Sequence, residues 1–309
     1  MSPRKEVKNI PASVRARLLN IAKQHKIDFN RILLLYFQQC FLARLAQSQY
    51  RDKFILKGGI LFYGIHQMNA RPTKDMDFLG LGMVNRLDEI EDAVKNIINI
   101  EMSDGVVFDP RSIHSETIVE RKSYSGVRTF VAAKLDTAIK KLQIDVGFGD
   151  VMEPGPEQFD YPDLFNDSKI KIYAYSWSSV IAEKFEAIVS FSDLNSRMKD
   201  YFDIYYLQHN FDFDGTELGN AVRATFSHRN TDISASNYIF TEQFMNDTGK
   251  QKQWLAFIGK INSRAPGDFS NIIKELKKFI GIIIFSIASS QIFAAKWDHN
   301  IQKWLLNES

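Results

Sequence analysis

Apolar positions recur at three- and four-residue steps through residues 13–48, which predicts two helices. In the second, Ile32, Leu33, Tyr36, Phe37, Cys40, Phe41 and Leu45 form a wide apolar stripe, so Cys40 is expected as a packed, inert thiol. From about residue 54 the pattern changes. FILKGGILFYGIHQM reads as a short strand, a Gly-Gly turn and a helix, and ARPTKDMDFLGLG as a loop running into a strand. Residues 86–100 form an amphipathic helix with Leu87, Ile90, Val94 and Ile97 on one face. ETIVER, VRTFVAAKL and KLQIDVGFG are short β-branched strands, with SYSG as a turn between the first two. DVMEPGPEQFDYPD, with three of the eight prolines, is the clearest break, followed by a last strand, KIKIYAY.

After Trp177 the pattern is helical, over 178–192, 196–209, a run near 216–227 and further segments to the C-terminus. The expected fold class is therefore α/β (α+β): a mixed sheet covered by helices, followed by a mainly helical domain. The division falls near residue 175, giving domains 1–175 and 176–309.

Composition narrows this reading. Apolar residues at 45% and charged residues at 25% exclude wholesale disorder and rod-like folds. With 39 basic and 37 acidic residues there is no basic coat for gripping nucleic acid, so any such contact needs a local patch. Arg4, Lys5, Lys8, Arg15 and Arg17 are the candidates, with a solvated helix face as the plainer reading. One cysteine excludes an intrachain disulfide, and the N-terminus shows no secretion signal, so a cytoplasmic location is expected. Phe279 to Ala295 is apolar over 17 residues but carries Ser286, Ser289, Ser290 and Gln291, and reads as a buried helix rather than a membrane span.

Four features carry candidate chemistry. Lys57-Gly58-Gly59 lies between a strand and a helix, where glycines let backbone N–H groups approach an anion. Arg71-x-Thr73-x-Asp75-x-Asp77 enters a strand, which puts Asp75 and Asp77 on one face and Met76 and Phe78 on the other. Two carboxylates held that way suit a divalent ion such as Mg²⁺, although a solvated turn gives the same pattern. In LQIDVGF, Leu142, Ile144 and Val146 alternate inward and turn Gln143 and Asp145 to the opposite side. Finally, Lys184 sits beside the stripe Ile181, Phe185 and Ile188, and Arg197, Asp200 and Asp203 share a helix face at three-residue spacing.

In this order the motifs resemble a polymerase-β-like nucleotidyltransferase core, specifically the AbiEii/AbiGii toxin-like nucleotidyltransferases of bacterial abortive-infection and toxin–antitoxin loci. The matching residues, including Ile144-Asp145-Val146, Ala182-Glu183-Lys184 with Ala187, and Arg197-x-Lys199-Asp200-x-x-Asp203, span positions 57 to 203. The family usually follows its glycine pair with Thr or Ser, where this chain has Ile60.

The resemblance implies an enzyme that moves a nucleotide from an NTP to an acceptor, in some members the 3′ end of tRNA, and a cognate antitoxin. It implies Asp75, Asp77 and Asp145 as ligands of Mg²⁺, with Mn²⁺ as the substitute ion, and Asp145 as a residue that helps activate the acceptor hydroxyl. Lys57, Gly58, Gly59, Arg71, Thr73, Lys184 and Arg197 are implied at the nucleotide, and Asp203, or else Asp200, as the group orienting Lys184 or the acceptor. Two alternatives stay open on the residues alone: a degenerate nucleotide-binding module, which Ile60 suggests, and a metal-dependent nuclease or phosphohydrolase.

Overall fold

The structure, a computed structural model, describes residues 9–66, 73–120, 124–165, 168–194, 196–261 and 265–306. It divides into two compact units, Met1–Gly149 with Glu157–Ala174, and Asp150–Pro156 with Tyr175–Ser309.

The first unit begins with α1 (Ile10–His25) and α2 (Phe29–Gln47), whose N-caps Asn9 and Asp28 accept backbone N–H bonds in the first turn. There follow β1 (Phe54–Lys57), α3 (Gly58–His66), β2 (Asp75–Gly80), α4 (Leu87–Ile98), β3 (Val106–Glu120), β4 (Tyr124–Leu135), β5 (Ala138–Gly147), β6 (Glu157–Pro162) and β7 (Lys169–Ala174). The seven strands form one mixed sheet in the order β3-β4-β5-β2-β1-β7-β6. The β2–β5 and β1–β7 pairs are parallel and the others antiparallel.

Helix α2 packs on β5 and β7, and α4 on β3 and β4. On the inward face of β2 and β5, Met76, Phe78, Leu142, Ile144 and Val146 are all fully buried. Phe78 contacts Phe41 of α2 and Phe54 of β1 edge-on or tilted. Because side chains alternate along a strand, covering one face of β2 and β5 turns Asp75, Asp77, Gln143 and Asp145 to the other. Cys40 is buried as expected, and burial raises its thiol pKa well above the ordinary range.

Several expectations need correction. Leu87 is exposed at the start of α4, outside its buried stripe of Ile90, Val94 and Ile97. Tyr124, Ser125 and Gly126 belong to β4 rather than a turn; a Cβ on Gly126 would lie 2.7 Å from the Val146 carbonyl oxygen, so glycine there permits close strand pairing. The Pro-rich break contains β6, an edge strand that tolerates Pro162 at its end because its outer side has no ladder to complete.

The second unit contains α5 (Trp177–Phe191), α6 (Met198–Asn210), β8 (Phe213–Asp214), α7 (Gly215–His228), α8 (Ser236–Ile239), α9 (Glu242–Met245), α10 (Thr248–Ile261), α11 (Phe269–Ala288), β9 (Ala295–Asp298) and β10 (Lys303–Leu306). It is mainly helical, with α5 against α6 and α7, and α11 against α6 and α7.

The apolar run at 279–295 is not one helix. Helix α11 ends at Ala288, Ser290 takes a left-handed φ of 55°, and Ala295 opens β9. Nor is the helix buried all round, since Ile282 and Phe285 are exposed. The small sheet β10-β9-β8 was not predicted; it is fastened by Trp297, whose indole N–H donates to the Gln208 carbonyl at 2.7 Å, and by Trp304, stacked on Phe279. Among the described residues no helix is long and apolar enough to cross a membrane.

Candidate active site

The site in the first unit is assembled where β1 ends and α3 begins. Lys57 closes β1 directly opposite Asp77 of β2. Gly58 then turns with φ +69°, a left-handed conformation that side chains resist. A Cβ at Gly58 would fall 2.0 Å from Asp77 Oδ2. Glycine is therefore required twice over, for the backbone turn and to admit the carboxylate. Gly59 is the second residue of α3, whose N-terminus opens at this turn. Ile60, at the position where a hydroxyl was the family expectation, is fully buried in the core.

The parallel β2–β5 register sets Asp77 opposite Asp145 and Asp75 opposite Gln143. Carboxylate oxygens of Asp75, Asp77 and Asp145 all lie within 4.8 Å of one another, on partly buried side chains. Thr73 Oγ1 donates to Asp75 Oδ1 at 2.7 Å, so Thr73 fixes a carboxylate whatever else it touches. Arg71 lies outside the described residues, as do Arg4, Lys5 and Lys8. Of the other N-terminal cations, Arg15 pairs with Asp136, and Arg17 reaches the Phe165 carbonyl and lies over its ring.

Asp145 is held by two side chains, Arg128 and Gln143. Arg128 of β4 grips it as a fork, Nε to Oδ1 at 2.9 Å and Nη2 to Oδ2 at 2.7 Å. Gln143 Nε2 adds contacts to the same two oxygens at 3.1 and 3.0 Å. The hydrogen bond to Asp145 holds the Arg128 proton more tightly than usual, with smaller help from the charges of Asp145, Glu116 and Asp75.

In the second unit Lys184 of α5 lies between two carboxylates of α6, with Nζ 2.6 Å from Asp203 and 3.2 Å from Asp200. Both aspartates are only 1% exposed. Arg197 Nε adds a contact to Asp200 at 3.0 Å from a half-exposed position. These residues form a buried ion cluster rather than a surface pair. Nearby in sequence, Glu183 joins a different cluster, in which Arg229 meets Glu186 at 2.9 Å, Asp150 at 3.0 Å and Glu183 at 3.4 Å.

Residues 40–275 match the family described as nucleotidyl transferase AbiEii toxin, type IV toxin–antitoxin system. The chain belongs to the AbiEii family. It is thus a nucleotidyltransferase of a family of type IV toxins. Among solved structures, it is similar to a candidate nucleotidyltransferase from H. pylori, with 13% identity and a TM-score of 0.48 over 86% of this chain and 100% of that one. It is also similar to JHP933 from Helicobacter pylori, with 13% identity and a TM-score of 0.45 over 84% and 93% of the two chains. No curated protein matches it.

In this AbiEii-family chain the three-carboxylate cluster is a candidate metal site. Three hard oxygen donors on neighbouring strands fit a divalent cation such as Mg²⁺ or Mn²⁺, and like charges this close disfavour one another without a counter-charge. A second acidic group, Asp212, Asp298 and His299, has local work instead. Asp212 binds the His299 ring and backbone N–H, while Asp298 accepts from the N–H groups of Asn300 and Ile301.

Sequence reasoning missed Arg128. Its signal was the hairpin between β4 and β5, where Leu135 pairs with Ala138 across Asp136 and Thr137. Asp136 takes the left-handed φ of 54° that Asp tolerates in turns. Once that turn is fixed, the antiparallel register carries Arg128 to Asp145.

Proposed function

We propose that this AbiEii-family enzyme transfers a nucleotide from an NTP to a hydroxyl of RNA, with the tRNA 3′ end as the favoured acceptor, and that a cognate antitoxin restrains it. The observation that supports this reading is the convergence of Asp75, Asp77 and Asp145 within 4.8 Å beside the Gly58 turn. In this reading residues 1–175 form the nucleotidyltransferase domain, and residues 176–309 form a helical domain that supplies Lys184 and Asp203.

Asp75, Asp77 and Asp145 would hold Mg²⁺. When bound, such an ion neutralises charge on the phosphoryl oxygens and so favours displacement. Backbone N–H groups of Gly58 and Gly59, at the start of α3, face the triphosphate, with Lys57 as a neighbouring charge. The acceptor oxygen forms a bond to the α-phosphorus, the α–β bridging bond breaks, and pyrophosphate leaves. Asp145 receives the proton of the attacking hydroxyl. From the family motif, Lys184 is proposed as a point charge for the triphosphate; Asp203, 2.6 Å from its Nζ, is proposed as the group that orients it, with Asp200 as the weaker candidate. Roles at the nucleotide for Arg71, Thr73 and Arg197 are proposed from the family motif alone.

The test is incubation with each α-labelled NTP, Mg²⁺ and total bacterial RNA, beside the double variant Asp75→Ala/Asp77→Ala. Label in RNA with the wild type and none with the variant supports transfer and identifies both nucleotide and RNA size class. NTP binding without label in RNA sinks the RNA acceptor.

A further inference from the structure

Asp145 already has a charged partner of its own. A carboxylate offers about four lone-pair sites. At Asp145 the Arg128 fork engages both oxygens, and Gln143 Nε2 makes a bifurcated contact to the same two. A fork of this kind is among the stronger side-chain interactions, because it is charge-assisted and matches the carboxylate in shape. A divalent ion at Asp145 therefore competes with the charge of the Arg128 fork, and Gln143, neutral and bifurcated, cannot replace that charge.

Arg128 has somewhere to go. Its side chain is 31% exposed, and its Nη1 already lies 3.8 Å from Glu116 Oε1, on the neighbouring strand β3. Glu116 pairs with Arg128 in the β3–β4 register, as Asp145 does across β4–β5, so the guanidinium stands between two carboxylates on one row of the sheet. The nearer of the two is Asp145.

We propose that Arg128 is a positioning residue that acts as a built-in counter-cation: it holds Asp145 while the triad carries no metal, and a divalent ion gains its third carboxylate by displacing the Arg128 fork toward Glu116. The inference rests on the reading of Asp75, Asp77 and Asp145 as a metal site. Arg128 stays charged throughout, so the switch is one of geometry rather than protonation. It gives the enzyme an ordered, charge-compensated site before nucleotide arrives, and it sets a threshold on metal affinity.

Mn²⁺ binding to the full chain, followed by the loss of the free-ion electron paramagnetic resonance signal without nucleotide or RNA, tests this. Arg128→Gln is expected to bind Mn²⁺ about tenfold more tightly than the wild type, since a competing charge a few ångströms away is removed. Arg128→Lys keeps the charge but cannot form a fork, and is expected to show a smaller gain. The gain from Arg128→Gln should vanish when Asp145→Asn is present, because the competition runs through that carboxylate. Equal or weaker Mn²⁺ binding in Arg128→Gln, or an undiminished gain in the Asp145→Asn background, overturns the proposal. If Arg128→Gln does not fold, Arg128→Lys decides on the same terms. A protein that binds Mn²⁺ as expected but labels no RNA would sink the RNA-transfer reading and leave this one standing.

Discussion

Two kinds of carboxylate cluster occur in this chain. In the second unit two buried acidic clusters are each built around a cation. Lys184 lies between Asp200 and Asp203, and Arg229 among Asp150, Glu183 and Glu186. Burial opposes the charge of Arg229, yet the carboxylates around it hold its proton more tightly than usual. In the first unit carboxylate oxygens of Asp75, Asp77 and Asp145 lie within 4.8 Å of one another, and Arg128 grips one of the three, Asp145. A cation-centred cluster stabilises its own fold. A carboxylate-centred one spends fold stability on a place for charge that comes from elsewhere, as binding sites for metal and nucleotide must.

The strongest way to break that comparison is to remove carboxylates from one cluster and the cation from the other. Asp75→Ala/Asp77→Ala should lower nucleotide transfer by on the order of a thousandfold or more, because it removes the charge on which the site depends. The same variant should unfold in urea at the wild-type concentration or slightly above it, since like-charge repulsion is relieved. A clear loss of stability would mean that these carboxylates support the fold. Lys184→Met should do the reverse to stability and cost about 3 kcal/mol in urea unfolding, because it leaves Asp200 and Asp203 buried without their shared cation. An unchanged midpoint would show that Arg197 compensates Asp200 unaided.

The same contrast explains what the sequence made legible. Strand alternation was enough to put Asp75 with Asp77 on one face, and Asp145 with Gln143 on another strand's polar face, because the apolar residues between them have to be buried. It could not say that the two strands are parallel neighbours, since pairing between β2 and β5 is a long-range choice separated by α4, β3 and β4. The family resemblance supplied that link. Burial of Asp200 and Asp203 was equally invisible. A three-residue spacing gives a shared helix face but not what covers it, so an exposed pair and a buried cluster look alike. β9 and β10 escaped for a different reason: at four residues each they are too short for a period, and Trp297 and Trp304 hold them in place through tertiary contacts.

Smaller effects sharpen the comparison around the Gly58 turn. Gly58→Ala should cost about 2–3 kcal/mol, part from a side chain at φ +69° and part from overlap with Asp77. If the turn serves the carboxylates, transfer should fall further than stability accounts for, as measured at a temperature where the variant remains folded. Equal transfer per folded molecule would reduce Gly58 to a turn residue.

Ile60→Thr probes the smallest difference and the one place where the chain departs from its family's habit. Ile60 is fully buried, in the first turn of α3. A threonine there loses apolar contact and buries a hydroxyl in the core, so the expected cost is about 2 kcal/mol. Because a buried side chain at this position points into the core, NTP affinity measured by titration should change by less than about twofold. The phosphate cradle would then consist of the backbone donors at Gly58 and Gly59, which no substitution at residue 60 removes. A tenfold gain in affinity would show instead that a hydroxyl at this position reaches the nucleotide, and that isoleucine costs this enzyme a phosphate contact.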